Sequence, residues 1–323
     1  MYGLDLGMHN YLSRGRACPC ALRQQDPGAL AALLQNGAPR DRIWFCGLTA
    51  QGLALAHSSC GSPTPESPKR FLHAAVSRGF PAAAKYVLNR LRDDPGRLDA
   101  VLNQEQQQHG DLPLYAAASR GHADIVRILL EYRVNVDQGN SANVTPLAGA
   151  VAAGSEKTVK ILLDHGANME FRSKRGETPL FLAAYNPGKM EGYPSVAKLL
   201  LERGARVDAV NDDGDTPLLW AVKNGSEESA RVLLEHGANV NHRGKTGITP
   251  LVAAMRLRNE MPGLVQLLVS HKADLRPHGN SQRNPLRLAV QRGHAQSVWI
   301  LVDAGADTHA VDDIACFTQE HAP

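Results

Sequence analysis

Thirteen histidines, five cysteines and the acidic run Asn211-Asp212-Asp213-Gly214-Asp215 are the groups in this 323-residue chain with the most obvious chemical potential. Cys18-Pro19-Cys20 could supply half of a thiolate metal site, but no second pair stands at the spacing a tetrahedral ion requires. The acidic run faintly resembles a calcium loop, yet the position that should carry the bidentate glutamate holds Trp220. His122 and His294 follow glycines, whereas His165 and His236 precede them, so these residues recur with a period of the chain rather than at ligand spacing. The chain holds no Gly-x-Ser-x-Gly elbow, no Gly-x-x-x-x-Gly-Lys phosphate loop, no Gly-x-Gly-x-x-Gly after a strand and no His-Glu-x-x-His pair. The expectation is therefore no catalytic residue, no cofactor and no metal.

What positions these residues is a repeat. Leu112-Pro113-Leu114, Thr145-Pro146-Leu147, Thr178-Pro179-Leu180, Thr216-Pro217-Leu218, Thr249-Pro250-Leu251 and Asn284-Pro285-Leu286 place prolines at intervals of 33, 33, 38, 33 and 35 residues. That period exceeds any single helix or strand of ordinary length and marks a supersecondary unit stacked along an array. In the unit at Thr178, the threonine suits a helix N-cap, its hydroxyl accepting from a free backbone N–H, and Pro179 suits the first turn. Small pairs follow at the same offsets (Ala117-Ala118, Ala183-Ala184, Ala221-Val222, Ala254-Met255, Ala289-Val290) and predict closely approaching first helices. Second helices such as Val159 to Leu163 and Val232 to Leu234 carry the bulk, with Arg127, Lys160 and Lys198 facing water. Gly166, Gly204, Gly237 and Gly305 end them in the left-handed conformation that glycine adopts cheaply.

Composition agrees. Hydrophobic residues make up 43% of the chain but aromatic ones only 5%, so the core is built from Leu, Val, Ile and Ala, which favours short helix pairs over a β-sandwich. Thirty-five basic against 32 acidic residues are too balanced for general binding to nucleic acid or a membrane surface. Sparse, odd-numbered cysteines (Cys18, Cys20, Cys46, Cys60, Cys316) point away from a disulfide framework. No basic flank with an apolar run opens the chain, and no apolar stretch approaches a membrane span, so the expected location is intracellular, cytoplasmic or nuclear. The sequons Asn143-Val144-Thr145 and Asn224-Gly225-Ser226 matter only for a secreted chain.

These motifs closely resemble the ankyrin-repeat family: Gly-x-Thr-Pro-Leu, paired small residues, Gly121-His122 and Gly293-His294, Ile-Val-x-x-Leu-Leu, and Gly166-Ala167-Asn168 or Gly237-Ala238-Asn239. The resemblance implies an all-α solenoid of about eight helix-turn-helix units joined by short β-hairpin fingers. Two units are degenerate. One runs from Phe71 to Arg92 and leads into an extended connection from Asp93 to His109; the other lies at Ala21 to Ala38. The expected division is a degenerate N-terminal unit at 1–40, an irregular Pro/Ser-rich insertion at 41–68, the array at 69–311 and a tail at 312–323.

Three departures stand out. Residues 187–194 lengthen one inter-helix turn, either as a tolerated loop or as a projection bearing Tyr193. Gly61 to Arg70 has the composition of a flexible linker, and within it Ser67-Pro68-Lys69-Arg70 also resembles a substrate of proline-directed kinases, making Ser67 a candidate phosphorylation site. Trp299 occupies an outer position held elsewhere by Arg127 or Lys198, and the tail from Asp312 to Pro323 is its expected cover.

Because the repeat fixes its buried positions, a partner would meet the free ones: the finger residues around each hairpin glycine and the two residues after each small pair. The resemblance places them along one concave face. The site residues are His109, Asp111 and Arg120, then Lys174, Arg175, Glu177 and Tyr185, then Asp212, Asp213, Asp215 and Lys223, then Lys245, Arg256, Arg283 and Gln291. Mixed charge with a few apolar groups suits a protein partner, and the aspartates disfavour nucleic acid. The function expected is a non-catalytic adaptor, monomeric outside its complexes, binding other proteins but neither nucleic acid nor membrane directly. Two alternatives are a nuclear transcription co-regulator docking on a DNA-binding factor and a substrate-recruiting subunit of a ubiquitin ligase.

Overall fold

A computed structural model of the chain describes residues 67–103, 112–132, 134–140, 142–185, 192–276 and 284–308. The chain divides into two compact units, Met1–Ser141 and Ala142–Pro323. All regular structure among the described residues is helical.

In the first unit, α1 (Ser67–Arg78) pairs with α2 (Pro81–Leu91), and α4 (Pro113–Ala118) pairs with α5 (Ala123–Leu130). α4 packs on α1 and α5 on α2. The spacing of Ala84, Val87, Leu88 and Leu91 puts one apolar stripe of α2 into this contact, where all four are buried. Each fully buried leucine here contributes about 1.5–3 kcal/mol. Two sequence expectations change. Asp93 to His109 is not all extended, because α3 (Pro95–Asn103) forms within it and buries Val101 and Leu102. Asp94 starts that helix: its Oδ1 accepts from Arg97 N–H at 3.0 Å, and Pro95 takes the first turn, where no donor is needed. Likewise, Ser67 to Arg70 lie in the first turn of α1 rather than in a linker, with Pro68 buried. The degenerate unit expected at 1–40 and most of the insertion at 41–68 lie outside the described residues.

The second unit stacks five helix pairs: α6 (Pro146–Ala152) with α7 (Glu156–Asp164), α8 (Pro179–Ala184) with α9 (Pro194–Glu202), α10 (Pro217–Lys223) with α11 (Glu227–Glu235), α12 (Pro250–Met255) with α13 (Pro262–Ser270), and α14 (Pro285–Arg292) with α15 (Ala295–Asp303). First helices form one row and second helices another. Leu147, Leu180, Leu218, Leu251 and Leu286 fill the first row's core, and Leu162, Leu200, Leu233, Leu268 and Leu301 that of the second. The small residues Ala183, Ala184, Ala221, Ala254 and Ala289 are buried between neighbouring first helices, which their size allows to approach closely.

Local chemistry sets the ends of these helices. Thr145, Thr216, Thr249 and Asn284 cap α6, α10, α12 and α14, their side-chain oxygens accepting from Ala148, Leu219, Val252 and Arg287 N–H at 3.3–3.4 Å. Thr178, chosen from the sequence as the model case, does not cap: Phe181 N–H donates instead to the Thr178 carbonyl at 3.0 Å, tightening the first turn of α8. Beyond the second helices Gly166, Gly204, Gly237 and Gly305 have φ of +81° to +91°, as their position requires, whereas the unit ending in α13 places Lys272 there at φ 65°.

The expected β-hairpin fingers reverse the chain without forming strands among the described residues. Each of three fingers closes on two backbone bonds: Ser173 N–H to Glu177 O at 2.9 Å, Asn211 N–H to Asp215 O at 3.0 Å and Gly244 N–H to Ile248 O at 3.3 Å span the roots, and Gly176, Gly214 and Gly247 N–H turn back to the Ser173, Asn211 and Gly244 carbonyls at 2.9, 3.0 and 2.7 Å. Both bonds lie within one five-residue turn and do not continue into a ladder.

Tyr193 is a packing residue rather than part of a projection. Its N–H donates to Ala183 O at 2.7 Å, its hydroxyl donates to Ala152 O at 3.2 Å, and its ring occupies the space a side chain at Gly154 would need. Met261 covers Gly225 in the same way. Trp299 is half-buried on α15, and its expected cover at 312–323 lies outside the described residues.

Candidate functional site

The expected site residues fall on both units. In the first, Arg120 is exposed at the end of α4, and its Nη1 donates to Ala116 O at 3.0 Å. His109 and Asp111, and Arg283 of the second unit, lie outside the described residues. The second unit brings most of the remainder together.

Each finger there is organised by residues other than those at its tip. In the finger at 211–215, Asn211 Oδ1 accepts from Asp213 N–H at 3.0 Å and Asp215 N–H at 2.9 Å, while Gly214, at φ 72°, makes the reversal. Ser173 plays the same part at 173–177, its hydroxyl oxygen accepting from Arg175 and Glu177 N–H at 3.2 and 3.3 Å and its O–H donating to Glu177 Oε2 at 3.2 Å. Asn211 is therefore a structural residue of a finger, the reading preferred for Asn211 to Asp215 over a calcium loop. Among the described residues, no group of three or more acidic, histidine or cysteine side chains is placed to hold a metal ion.

Neighbouring fingers are joined through their backbones. Asp212 N–H donates to Arg175 O at 3.0 Å, Lys245 N–H donates to Asp213 O at 3.1 Å, and Lys245 Nζ donates to the Asp212 carbonyl. His242 Nε2 lies 2.8 Å from Gly214 O. Gly176, at φ 72°, must be glycine for two reasons: the left-handed backbone, and a Cβ that would lie 2.5 Å from Asp212 Oδ1 and 3.0 Å from Asp212 N. The result is a ridge whose tips, in order, are Lys174-Arg175, Asp212-Asp213 and Lys245-Thr246, all exposed. The side chains of Lys174, Arg175, Asp212 and Asp213 have no hydrogen-bond or ion-pair partner among the described residues.

Behind the fingers stand the first helices. Tyr185, at the end of α8, meets Trp220 of α10 edge to face, with ring centroids 6.3 Å apart at 80°. Both rings are half-exposed. Arg256 is exposed at the end of α12, and Arg292 Nη1 donates to Arg256 O at 3.0 Å and Leu257 O at 3.3 Å. Gln291 is exposed on α14, and Glu177 is half-buried at the root of its finger.

Two residues expected to face a partner face each other instead. Asp215 is buried, its side chain 4% exposed, and Lys223 Nζ lies 2.5 Å from its Oδ2 with the Lys223 side chain 30% exposed. This pair fastens the root of the finger to the last turn of α10. Trp220, half-exposed beside Tyr185, is a surface residue not among those expected from the sequence. Its signal was a large aromatic directly before the small pair Ala221-Val222, where the unit at Thr249 has Ala253 and that at Thr145 has Gly149.

The histidines resolve in structural terms. His165, His236 and His271 place Nδ1 at 2.8, 2.8 and 3.0 Å from the carbonyls of Ile161, Val232 and Leu267, four residues back, closing the last turns of their helices. His122 lies over Gly79 at the turn between α1 and α2.

Comparison with known proteins agrees with this architecture. The family profile described as ankyrin repeats (three copies) matches residues 21–140, 72–173, 166–244 and 240–312. Among solved structures, the ankyrin repeat domain of Bcl-3, described as a unique member of the IkappaB protein family, is 28% identical with a TM-score of 0.61, covering 75% of this chain and 100% of that one. The human ASB11 ankyrin repeat domain is 25% identical, TM-score 0.59, covering 73% and 98%. An ankyrin repeat domain from Acinetobacter baumannii AYE is 27% identical, TM-score 0.55, covering 60% and 98%. Comparison with curated protein sequences gave no significant match. With repeats matched from residue 21 to residue 312, the chain belongs to the ankyrin-repeat family, whose arrays indicate protein–protein interaction and are generally non-catalytic scaffolds.

Proposed function

We propose that this chain is a non-catalytic adaptor that binds a protein partner on the finger and first-helix face of its second unit. The observation that carries this reading is the set of four charged tips, Lys174, Arg175, Asp212 and Asp213, exposed and without a side-chain partner among the described residues, on fingers tied by their own and each other's backbone bonds. Charges on a fixed scaffold lose little freedom on binding, and opposite signs on adjacent fingers discriminate between partners through electrostatic complementarity. The Tyr185–Trp220 pair adds the half-exposed aromatic surface on which binding hot spots commonly form. Alternating sign also disfavours a phosphate backbone. Among the described residues no helix is long and apolar enough to cross a membrane.

Affinity capture with the tagged full chain tests the reading, comparing wild type with a variant in which Lys174, Arg175, Asp212 and Asp213 are reversed in charge. Loss of the captured proteins supports the face, and an unchanged set rejects it. A nuclear co-regulator and a ligase subunit would use the same face and differ in company: imaging of the tagged chain separates a nuclear from a cytosolic adaptor, and capture of ligase subunits would single out the latter.

A further inference from the structure

Arginines gather where the first helices of the last two pairs of the second unit turn toward their second helices. Arg256 and Arg258 follow α12, and Arg292 ends α14. All three are exposed. Arg292 ties the two turns together: its Nη1 donates to the carbonyls of Arg256 at 3.0 Å and Leu257 at 3.3 Å, which holds its guanidinium against the turn that carries the other two. Its remaining N–H groups, and the side chains of Arg256 and Arg258, have no hydrogen-bond or ion-pair partner among the described residues.

The acidic side chains described between Pro250 and Asp303 are Glu260, Asp274 and Asp303, and they are engaged or placed elsewhere. Glu260, in the same turn as Arg256 and Arg258, accepts at Oε1 from Ser297 N–H at 2.7 Å and Ser297 O–H at 2.9 Å. Asp274 pairs with Arg276 at 3.1 Å. Asp303 is the last residue of α15, about 12 Å along that helix from its start. The turn therefore keeps an excess of positive charge. That excess stops at the preceding unit, where the positions equivalent to Arg256 and Leu257 hold Lys223, paired with the buried Asp215, and Asn224, whose amide donates to Trp220 O at 2.7 Å. A patch confined to two adjacent turns suits a short run of carboxylates better than a nucleic-acid backbone, whose affinity comes from many phosphates neutralised in series. Guanidinium groups also pair with carboxylates through two parallel bonds, which gives direction as well as attraction. We infer that the turn edge formed by Arg256, Arg258 and Arg292 docks a short segment of a protein partner rich in Asp and Glu. This inference rests on the binding face proposed above and assigns the chemistry that its last two helix pairs select.

The test is to pan a phage-displayed dodecapeptide library on the full-length protein and to measure the synthesised winners by fluorescence anisotropy. Wild type is expected to enrich peptides rich in Asp and Glu. The variant R256Q/R258Q leaves the Arg292 bonds in place and should melt like wild type, yet it is expected to bind those winners about tenfold more weakly, as loss of exposed arginine–carboxylate pairs implies. Winners without acidic enrichment, no enrichment at all, or acidic winners bound equally by wild type and R256Q/R258Q overturn the inference. If the winners that R256Q/R258Q binds equally weaken on the finger variant K174Q/R175Q/D212N/D213N, the binding face stands and only the arginine edge falls. If they bind that variant unchanged as well, both fall. A labelled single-stranded dodecanucleotide that outcompetes the acidic winners would point to nucleic acid and overturn the acidic-segment reading.

Discussion

Removing the Asp215 carboxylate separates a structural residue from a binding residue, the two roles that structure and sequence give it. In Asp215→Ala the charge-assisted bond from Lys223 is lost, and such bonds contribute about 1.5–3 kcal/mol net. The released ammonium, on a side chain already 30% exposed, regains water, which keeps the loss near the lower figure. The space vacated beside Gly244, whose Cβ position is 2.5 Å from Asp215 Oδ1, adds a cavity term of about 1 kcal/mol. The expected total is about 2–3 kcal/mol. For a unit of this size that lowers the melting temperature by roughly 4–10 °C. Lys223→Met should be worse, about 3 kcal/mol, because it strands a buried carboxylate without a partner. The double variant should therefore be less destabilised than the sum of the singles by at least about 1 kcal/mol. Urea unfolding followed by tryptophan fluorescence, to which Trp220 contributes from the same helix, reads all three. Stability of Asp215→Ala within about 0.5 kcal/mol of wild type, or simple additivity, would refute the pairing and return Asp215 to the list of partner contacts.

Lys272→Gly should stabilise the second unit by about 1 kcal/mol, since Lys272 sits at φ 65° where the other units place glycine; the urea midpoint should rise with unchanged slope. Thr216→Val should cost about 1 kcal/mol by removing the α10 cap, while Thr178→Val, which removes no cap bond, should stay within a few tenths; equal losses in thermal melts would contradict the assigned caps. Burial, with help from the neighbouring Glu131 carboxylate, raises the Tyr132 phenol above the ordinary value of about 10. The folded chain then holds that proton more tightly than the unfolded one, so its stabilising effect is complete below pH 10 and fades as the pH climbs past it. Tyr132→Phe should accordingly lose less stability than wild type between pH 9.5 and 11 in urea titrations at stepped pH.

Much of the fold was legible because each repeat writes its helix boundaries in residues with one good conformational use. Proline after threonine starts a helix, glycine before alanine ends one, and the buried leucines fall between. Helix α3 was missed although Asp94-Pro95 is a start signal of the same kind, because no repeat partner reinforced it. Hairpin fingers were expected from family resemblance, but in the three fingers described the backbone bonds stay within a five-residue turn and do not extend into a ladder. The site was less legible. Burial of Asp215 depends on where Lys223, eight residues on and a helix away, returns to meet it, and no local pattern distinguishes Asp215 from the exposed Asp213 two residues earlier. Thr178 does not cap because its carbonyl, not its hydroxyl, takes the Phe181 N–H, a choice that the residue type does not reveal.

The separation of labour within each finger has an evolutionary corollary. Asn211, Gly214 and Asp215 hold the loop's shape through groups that Asp212 and Asp213 do not share, and the bonds between fingers use the main chain of these two residues together with the side chains of His242 and Lys245, never the carboxylates of Asp212 and Asp213. Two letters per module can therefore be rewritten while the architecture is inherited unchanged, so a lineage carrying this array can acquire a new interlocutor by point substitution without first surviving a loss of folding.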